Sequence, residues 1–148
     1  MLTALAGWFG GVLWQGGQTQ KAVVLFDAIR HQDFKERADD AYKRGKTEVA
    51  IWELEYLSSR MLRDHDRVIN EKTERLELFL TFGRLARLYE NMKMTNEAAI
   101  AFKRATNYYN VDYPKAQIAT LPDLDRRIIE FDKITKIERH PVRIDKTP

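Results

Sequence analysis

The sequence contains no cysteine, which excludes disulfide bonds, thiolate metal ligands and cysteine nucleophiles. Histidine is scarce as well, and the three histidines are too far apart in the chain for the paired ligand spacing of a helical metal site. Glycine and proline number only seven and four in 148 residues, and five of the glycines fall within the first 17 positions. The remainder of the chain therefore contains few helix breakers and can form long uninterrupted helices.

Catalytic motifs are also lacking. The pairs Gly10-Gly11 and Gly16-Gly17 are not followed by the Lys-Ser/Thr dipeptide of a phosphate-binding loop. The Asp-His-Asp sequence at 64–66 is explained by a solvated turn between helices, and the abundant glutamates are explained by charge pairing on helix surfaces. We therefore expect a protein that is not an enzyme, with no catalytic residues, no metal, no cofactor and no small-molecule substrate.

Positive charge is concentrated towards the C-terminus. The net charge is only +3, and from Lys133 onward the chain has five basic residues and two acidic ones, so this stretch accounts for the whole excess. The two signs are mixed over the rest of the chain, whereas a nucleic-acid surface needs lysine and arginine clustered on one face. We expect no nucleic-acid partner, and we expect residues 139–148 to form a basic extended tail.

The first 20 residues carry no charged side chain, and the stretch Leu2–Trp14 is rich in apolar and aromatic residues. This stretch is too short for a simple transmembrane helix. A secretory signal would begin with basic residues, and none precedes this stretch. Its tryptophans suit a membrane interface, so we expect residues 1–20 to associate with a membrane or a partner protein. If the segment reaches across the bilayer by including the neutral stretch to Gln20, the basic residues that follow would place the body on the cytoplasmic side, or the equivalent matrix or stromal side. A plain buried N-terminal helix is the alternative. The anchoring side chains would be Trp8, Phe9, Leu13 and Trp14.

Apolar residues recur with helical spacing after position 21, which predicts an all-α domain over residues 21–138. A first helix is predicted to end near His31. Later helices are predicted to begin at capping residues, namely Asp33, Thr47, Asn70 or Thr73, Thr95, and Thr120 with Asp123 three residues on. The last helix should bury Leu124, Ile128, Phe131 and Ile134 and should act as a C-terminal capping helix.

Two stretches of the chain align with each other at a constant offset of 48 residues. In both, large, small and aromatic residues follow the spacing of two short antiparallel helices, with small residues where the backbones approach closely. The aligned positions are Phe34, Ala38, Ala41, Gly45, Ala50, Leu54 and Leu57 in the first copy, and Phe82, Ala86, Tyr89, Lys93, Ala98, Phe102 and Ala105 in the second.

This pattern resembles the tetratricopeptide repeat (TPR) over residues 32–110. The resemblance implies two TPR-like helical hairpins, flanked by the N-terminal apolar helix and the C-terminal capping helix. The family repeats every 34 residues or so, so the longer offset places about 14 additional residues between the copies. Lys93 stands where the family favours a glycine, and Asn110 stands where a proline often closes the repeat. An ordinary helical bundle containing two hairpins is the alternative fold.

The resemblance further implies that protein ligands, usually peptide segments, lie along a concave surface formed by the first helix of each hairpin. Asp39 and Gly83 stand at two positions where the family's chaperone-tail binders carry clamp residues, so that activity is not expected. Projected onto this chain, the concave surface carries Gln32, Lys35, Asp39, Tyr42, Leu80, Gly83, Arg87 and Glu90.

Only two repeats are visible, and repeat arrays generally need at least three, or capping elements, to bury their apolar ends. We therefore expect a non-enzymatic scaffold or adaptor that mediates protein–protein interaction, as a protein subunit of a larger membrane-associated complex. One alternative is a supernumerary structural subunit of a large membrane assembly, whose repeats support neighbouring subunits and bind no exchangeable ligand. The other is a peripheral lipid-surface protein that uses its Trp-rich start and basic tail.

Overall fold

The computed structural model describes residues 30–63 and 70–135. All regular elements in these two ranges are α-helices, with no strand among them, so the all-α class is confirmed for this part of the chain. The predictions for the apolar segment 1–20 with Trp8, Phe9, Leu13 and Trp14, for the turn at 64–66 and for the tail 139–148 lie outside the described residues. The predicted segment limits at 20 and 138 lie outside them too.

The chain divides into two compact units, Met1–Phe34 and Lys35–Pro148. Of the first unit, only residues 30–34 are described, and they are helical. No helix within 30–63 or 70–135 has both the length and the apolar character that crossing a membrane requires. The packing described below is that of the second unit.

Five helical stretches occur in the described ranges. They are α1 over residues 30–43, α2 Thr47–Arg63, α3 Glu71–Asn91, α4 Thr95–Asp112 and α5 Leu121–Thr135. The predicted boundary between His31 and Asp33 was wrong, because residues 30–43 are uninterrupted helix and contain neither glycine nor proline to break it.

Two of the predicted helix starts are confirmed by their capping hydrogen bonds. Asn70 precedes α3, and its side-chain oxygen accepts from the backbone N–H groups of Lys72 and Thr73 at 3.1 and 3.2 Å. Before α5, the backbone N–H of Asp123 donates to Thr120 Oγ1 at 3.3 Å, and the Thr120 hydroxyl donates to Asp123 Oδ2 at 2.6 Å. These side chains fix where α3 and α5 begin.

The predicted capping roles of Thr47 and Thr95 were wrong. Each threonine is the first helical residue instead of the residue before the helix. The Thr47 hydroxyl donates to the carbonyl of Gly45 at 3.5 Å, and Met94, which precedes α4, makes no side-chain capping bond. Backbone hydrogen bonds of the preceding turn define these two helix starts, which is why the capping pattern misplaced them.

The α1–α2 and α3–α4 turns have the same backbone geometry at the 48-residue offset. Gly45 and Lys93 both have positive φ, at 69° and 60°. The N–H of Lys46 donates to the carbonyl of Ala41 at 3.0 Å, and the N–H of Met94 donates to the carbonyl of Tyr89 at 2.9 Å. Both turns therefore need a residue in the left-handed conformation, which glycine adopts without the cost that a side chain imposes.

Replacing Lys93 with glycine is expected to raise the free energy of unfolding by about 1 kcal/mol, because glycine relieves the left-handed strain. The reciprocal change, Gly45→Ala, is expected to lower it by about 1 kcal/mol. Urea denaturation followed by circular dichroism measures both values. Lys93→Ala is the control, since it removes the lysine side chain and keeps the strained backbone. A K93G protein no more stable than K93A would contradict the prediction.

Helix α3 lies at the centre of the second unit. It runs antiparallel to α4, with Phe79 packed on Tyr109 at 4.8 Å between ring centroids and Phe82 stacked on Tyr108 at 6.1 Å. It also contacts α2, where the Tyr89 hydroxyl donates to Glu55. The buried residues of α3 point in nearly every direction: Glu74, Leu78, Phe79, Thr81, Phe82, Gly83, Arg84, Leu85, Ala86, Leu88 and Tyr89. A helix buried all round has neighbours on every side.

Helix α5 runs antiparallel to α3, and therefore in the same direction as α4. Going along α3, Phe79 contacts Phe131, Gly83 faces Ile128, and Arg87 pairs with Asp125. The connector, residues 113–120, has to return along the molecule between α4 and α5. Arg75 of α3 pairs with Asp112 at the end of α4, and Arg87 pairs with Asp125 near the start of α5, so the connector has to cover about the distance between residues 75 and 87. That distance is roughly 18 Å along the helix, and eight extended residues can span roughly 26 Å.

Burial within α5 agrees with the prediction at its first two apolar positions and differs at the last. Leu124 and Ile128 are fully buried, and Phe131 is partly buried. The prediction for Ile134 was wrong, since this side chain is 77% exposed. It lies in the final turn of the described helix, beyond the contact between Phe131 and Phe79.

Candidate interaction surfaces

The first candidate surface is the side of α1 and α3 that the TPR resemblance identified as concave. We define the arginine face as Asp39 and Tyr42 of α1 with Phe79, Gly83, Arg84 and Arg87 of α3. Contacts between Asp39 and Arg84 and between Tyr42 and Arg87 show that α1 and α3 run parallel here. Of the predicted partner-binding residues, the arginine face brings Asp39, Tyr42, Gly83 and Arg87 together.

The other predicted partner-binding residues lie around this face or apart from it. Lys35 is half-buried and its Nζ lies 2.6 Å from Glu77 Oε1. Leu80 is half-buried and Glu90 is exposed. Gln32 belongs to the first unit and is exposed. Whether any of the predicted residues contacts a partner stays a prediction.

Arg84 is the centre of the arginine face, and the sequence analysis missed it. Its side chain is buried, Nη1 donates to Asp39 Oδ1 at 2.7 Å, and Nη2 donates to Asp132 Oδ1 at 2.8 Å. Its guanidinium also lies over the Tyr42 ring, 5.2 Å from the centroid. The signal in the sequence was an arginine inside the buried apolar run of α3, but its two carboxylate partners are 45 and 48 residues away.

Arg87 joins the same network one turn further along α3. It forms an ion pair with Asp125 of α5, and its Nη1 donates to the Tyr42 hydroxyl oxygen at 2.6 Å. Nη1 also lies 3.8 Å from Asp132 Oδ2. Two guanidinium groups and three carboxylates thus link α1, α3 and α5.

Burial is the main cause of the pKa shifts of Asp39 and Tyr42, which α1 contributes to the arginine face. The pKa of Tyr42 is raised to about 12, mainly because the side chain is desolvated and further because Asp132 carries negative charge nearby. Burial likewise raises the pKa of Asp39, although the charge of Arg84 opposes that shift. Tyr42 therefore stays protonated at neutral pH and serves as a hydrogen-bonding group.

Gly83 provides the space in which α5 approaches α3. A Cβ at this position would lie 2.8 Å from Ile128 Cγ1, closer still to Ile128 Cδ1, and 3.5 Å from Leu124 Cδ1. Any residue larger than glycine would push the Ile128 side chain away, whereas Leu124 lies at ordinary van der Waals distance. The arginine face is therefore covered by a helix of the same chain.

A second surface, on the outer side of α2, was also missed. We call Val49, Trp52 and Tyr56 the α2 stripe, because their spacing of three and four residues places them along one side of the helix. All three are exposed, Trp52 at 58%, and the Trp52 and Tyr56 rings stack with centroids 5.9 Å apart. The α2 stripe could have been found as a second apolar stripe beside the buried one, which contains Ala50, Leu54, Leu57 and Met61.

A groove of about 320 Å³ lies between α2 and α4, over the side of α3. Its floor is formed by Phe82, Leu85 and Tyr89. Polar groups close it in part, since the Arg104 guanidinium lies 5.3 Å over the Phe82 ring and the Tyr89 hydroxyl donates to Glu55. Burial and the bond to Glu55 both raise the pKa of Tyr89.

A smaller cavity, of about 180 Å³, lies at the opposite end of α3. The stacked rings of Tyr109 and Tyr113 line it together with the ion pair between Arg75 and Asp112, whose closest atoms are 2.9 Å apart. The hydrogen bonds from Arg75 hold the pKa of Asp112 below its usual value. Arg75 and Asp112 are thus paired with each other, and Lys72, which also lines the cavity, lies 5.8 Å over the Tyr113 ring.

The carboxylates of the arginine face are each held by a guanidinium, so none is positioned as a general base beside a nucleophile. Across residues 30–63 and 70–135, no group of three or more His, Asp or Glu side chains could hold a metal ion.

Comparisons with protein-family models, with curated proteins and with solved structures found no match to this chain. The functional argument therefore rests on the surfaces described above.

Proposed function

We propose that this protein is a TPR-like scaffold or adaptor subunit that binds other proteins within a membrane-associated complex. The TPR-like part of the proposal is supported by the equivalent turns at Gly45 and Lys93, and by the parallel first helices α1 and α3. The membrane part is supported by the uncharged apolar segment 1–20.

The observation that carries the interaction function is the α2 stripe. Exposed tryptophan and tyrosine side chains are the residue types that most often dominate the binding energy of protein interfaces. Here two of them stack on each other beside Val49, so they form one apolar surface instead of scattered exposed side chains. Because Trp52 and Tyr56 lie on a regular helix, little backbone conformational freedom is lost when a partner covers them.

Replacing both Trp52 and Tyr56 with alanine is expected to weaken the assembly of the chain with its partners by about 2 kcal/mol or more. The tagged full chain is extracted from the soluble fraction and from alkaline-washed membranes of its host, and the size of its assembly is measured by native electrophoresis. We expect the wild-type chain in a large assembly from the membrane fraction, and W52A/Y56A mainly as the isolated chain.

The control is Val111→Ser, which alters another exposed apolar residue on a different helix. It should assemble like the wild-type chain, and circular dichroism should show equal helicity for all three proteins. A W52A/Y56A protein that assembles normally, or a wild-type chain that occurs only in isolated form, would contradict the proposal.

A purely structural subunit is the second candidate, and one observation favours it. The polar groups of Lys35, Asp39 and Arg87, which the resemblance offered to a peptide, are engaged by Glu77, Arg84 and Asp125 of the same chain. Such a subunit would use the α2 stripe for permanent contact with a neighbour. It differs from an adaptor because none of its surfaces would bind an exchangeable ligand.

A further inference from the structure

The position of α5 resembles that of a bound ligand more than that of the next helix in a stack. A helix that continued from α4 through a tight turn would run opposite to α4. Instead the connector 113–120 returns along the molecule, and α5 lies antiparallel to α3 across the arginine face. Along the connector, only Ile118 is buried, and its N–H donates to Asn110 Oδ1 at 3.0 Å.

The contacts of α5 with the arginine face are aromatic, aliphatic and ionic, the aromatic one being that of Phe131 with Phe79. Leu124 and Ile128, four residues apart, pack into the space left by Gly83. Asp125 and Asp132, seven residues apart, pair with Arg87 and Arg84. Aliphatic and acidic side chains at these spacings lie on neighbouring sides of one helix, so α5 is an amphipathic helix with an acidic edge.

Other hydrogen bonds and ion pairs of α5 close within the helix and its capping residue, although the Arg127 guanidinium also lies 5.7 Å over the Tyr109 ring of α4. The capping pair of α5 is Thr120 with Asp123, and Asp123 also pairs with Arg126 at 2.9 Å. Arg127 pairs with Glu130 at 2.9 Å. These hydrogen bonds and ion pairs do not depend on the arginine face, so they can form whether or not α5 is docked.

We propose that α5 is an internal occupant of a helix-binding groove, and that the arginine face accepts an acidic amphipathic helix of a partner protein in its place. The partner helix would carry two aliphatic residues four positions apart and two carboxylates at the spacing of Asp125 and Asp132. This inference rests on the proposed interaction function. It specifies what kind of partner the arginine face binds and states that α5 regulates access to that face. Because α5 is tethered, it competes at an effective concentration in the millimolar range, which keeps weak ligands out.

The test uses a fluorescein-labelled peptide of residues 117–136 as the probe, and the full-length chain as the receptor. In the receptor, Ile128→Asp places a charge in the buried contact with Gly83 and should release α5, while the residues of α1 and α3 stay unchanged. We expect the peptide to bind I128D about tenfold or more tighter than the wild-type chain, whose groove is filled. Fluorescence anisotropy measures both affinities.

Two further variants test which contacts carry the binding. Adding Arg87→Glu to I128D should weaken peptide binding about tenfold or more, because it turns an attractive charge on the groove into a repulsive one. A receptor carrying Asp125→Arg and Asp132→Arg should release α5 by a different route, and it should bind the unmodified peptide as I128D does.

The proposal is overturned if both α5-releasing receptors lose cooperative unfolding in urea, since α5 would then be an integral part of the core. It is also overturned if the peptide binds the wild-type and I128D chains equally, or if R87E leaves its binding unchanged. A wild-type dimer that dissociates in I128D would identify a second copy of the chain as the occupant and overturn the partner-helix assignment. All these outcomes are independent of the α2 stripe, so they can be told apart from failure of the proposed function.

Discussion

Replacing Arg84 with leucine is expected to lower the free energy of unfolding by about 3–5 kcal/mol, because the change leaves two carboxylates without the cation they share in a buried site. Asp132 is buried, and its Oδ1 accepts hydrogen bonds from both Nε and Nη2 of Arg84. Asp39 loses its bond of 2.7 Å at the same time. A loss of this size is a large fraction of the stability of an ordinary domain.

Urea denaturation of the full chain, followed by circular dichroism at 222 nm, measures the loss. The matched control is Arg44→Leu, which removes an arginine whose partner Asp40 lies four residues away on the exposed side of α1. That change should cost only about 0.5 kcal/mol. Adding Asp132→Asn to R84L should recover part of the stability, because it removes a stranded charge. An R84L protein as stable as R44L would show that the network contributes little.

Replacing Gly83 with alanine is expected to lower the free energy of unfolding by about 1–3 kcal/mol, because the added methyl group overpacks the contact with α5. The direction of the change is diagnostic. In the interior of an ordinary exposed helix, glycine to alanine raises stability by up to about 1 kcal/mol. Here the methyl group would meet Ile128 Cγ1 at 2.8 Å, and Ile128 is fully buried, so its side chain cannot move into solvent.

A double-mutant cycle with Ile128→Ala separates overpacking from other effects. I128A removes the atoms that the new methyl group would meet, so G83A should cost much less in the I128A background than in the wild-type chain. Thermal and urea unfolding of the four proteins give the coupling. A G83A protein more stable than the wild-type chain would contradict the close approach of α3 and α5.

Local features of this fold could be predicted from the sequence, because short-range hydrogen bonds decide them. Asn70 begins α3, Thr120 and Asp123 begin α5, and the left-handed turn at Gly45 reappears at Lys93 although a lysine occupies it. The same logic misplaced the starts of α2 and α4. There the helix begins directly at the threonine, after a turn closed by backbone hydrogen bonds from Lys46 to Ala41 and from Met94 to Tyr89.

Long-range features could not be predicted. The pairing of Arg84 with Asp39 and Asp132 joins residues from three helices, and no periodicity in the chain relates them. The direction of α5 depends on the path of an eight-residue connector, whose sequence carries no signal for that path. The α2 stripe was overlooked for a different reason. Two apolar stripes run along α2, and the repeat pattern marks only the buried one, which contains Ala50, Leu54 and Leu57.

The antiparallel docking of α5 also affects the order in which the molecule is completed. Asp132 is synthesised 48 residues after Arg84, so α1 to α4 leave the ribosome before α5 is available. Helix pairs close in sequence, such as α3 and α4, form contacts early because little chain entropy is lost in bringing them together. The nascent chain therefore exposes Arg84 and Arg87 of the arginine face for a time. An acidic helix present during translation would reach them ahead of α5.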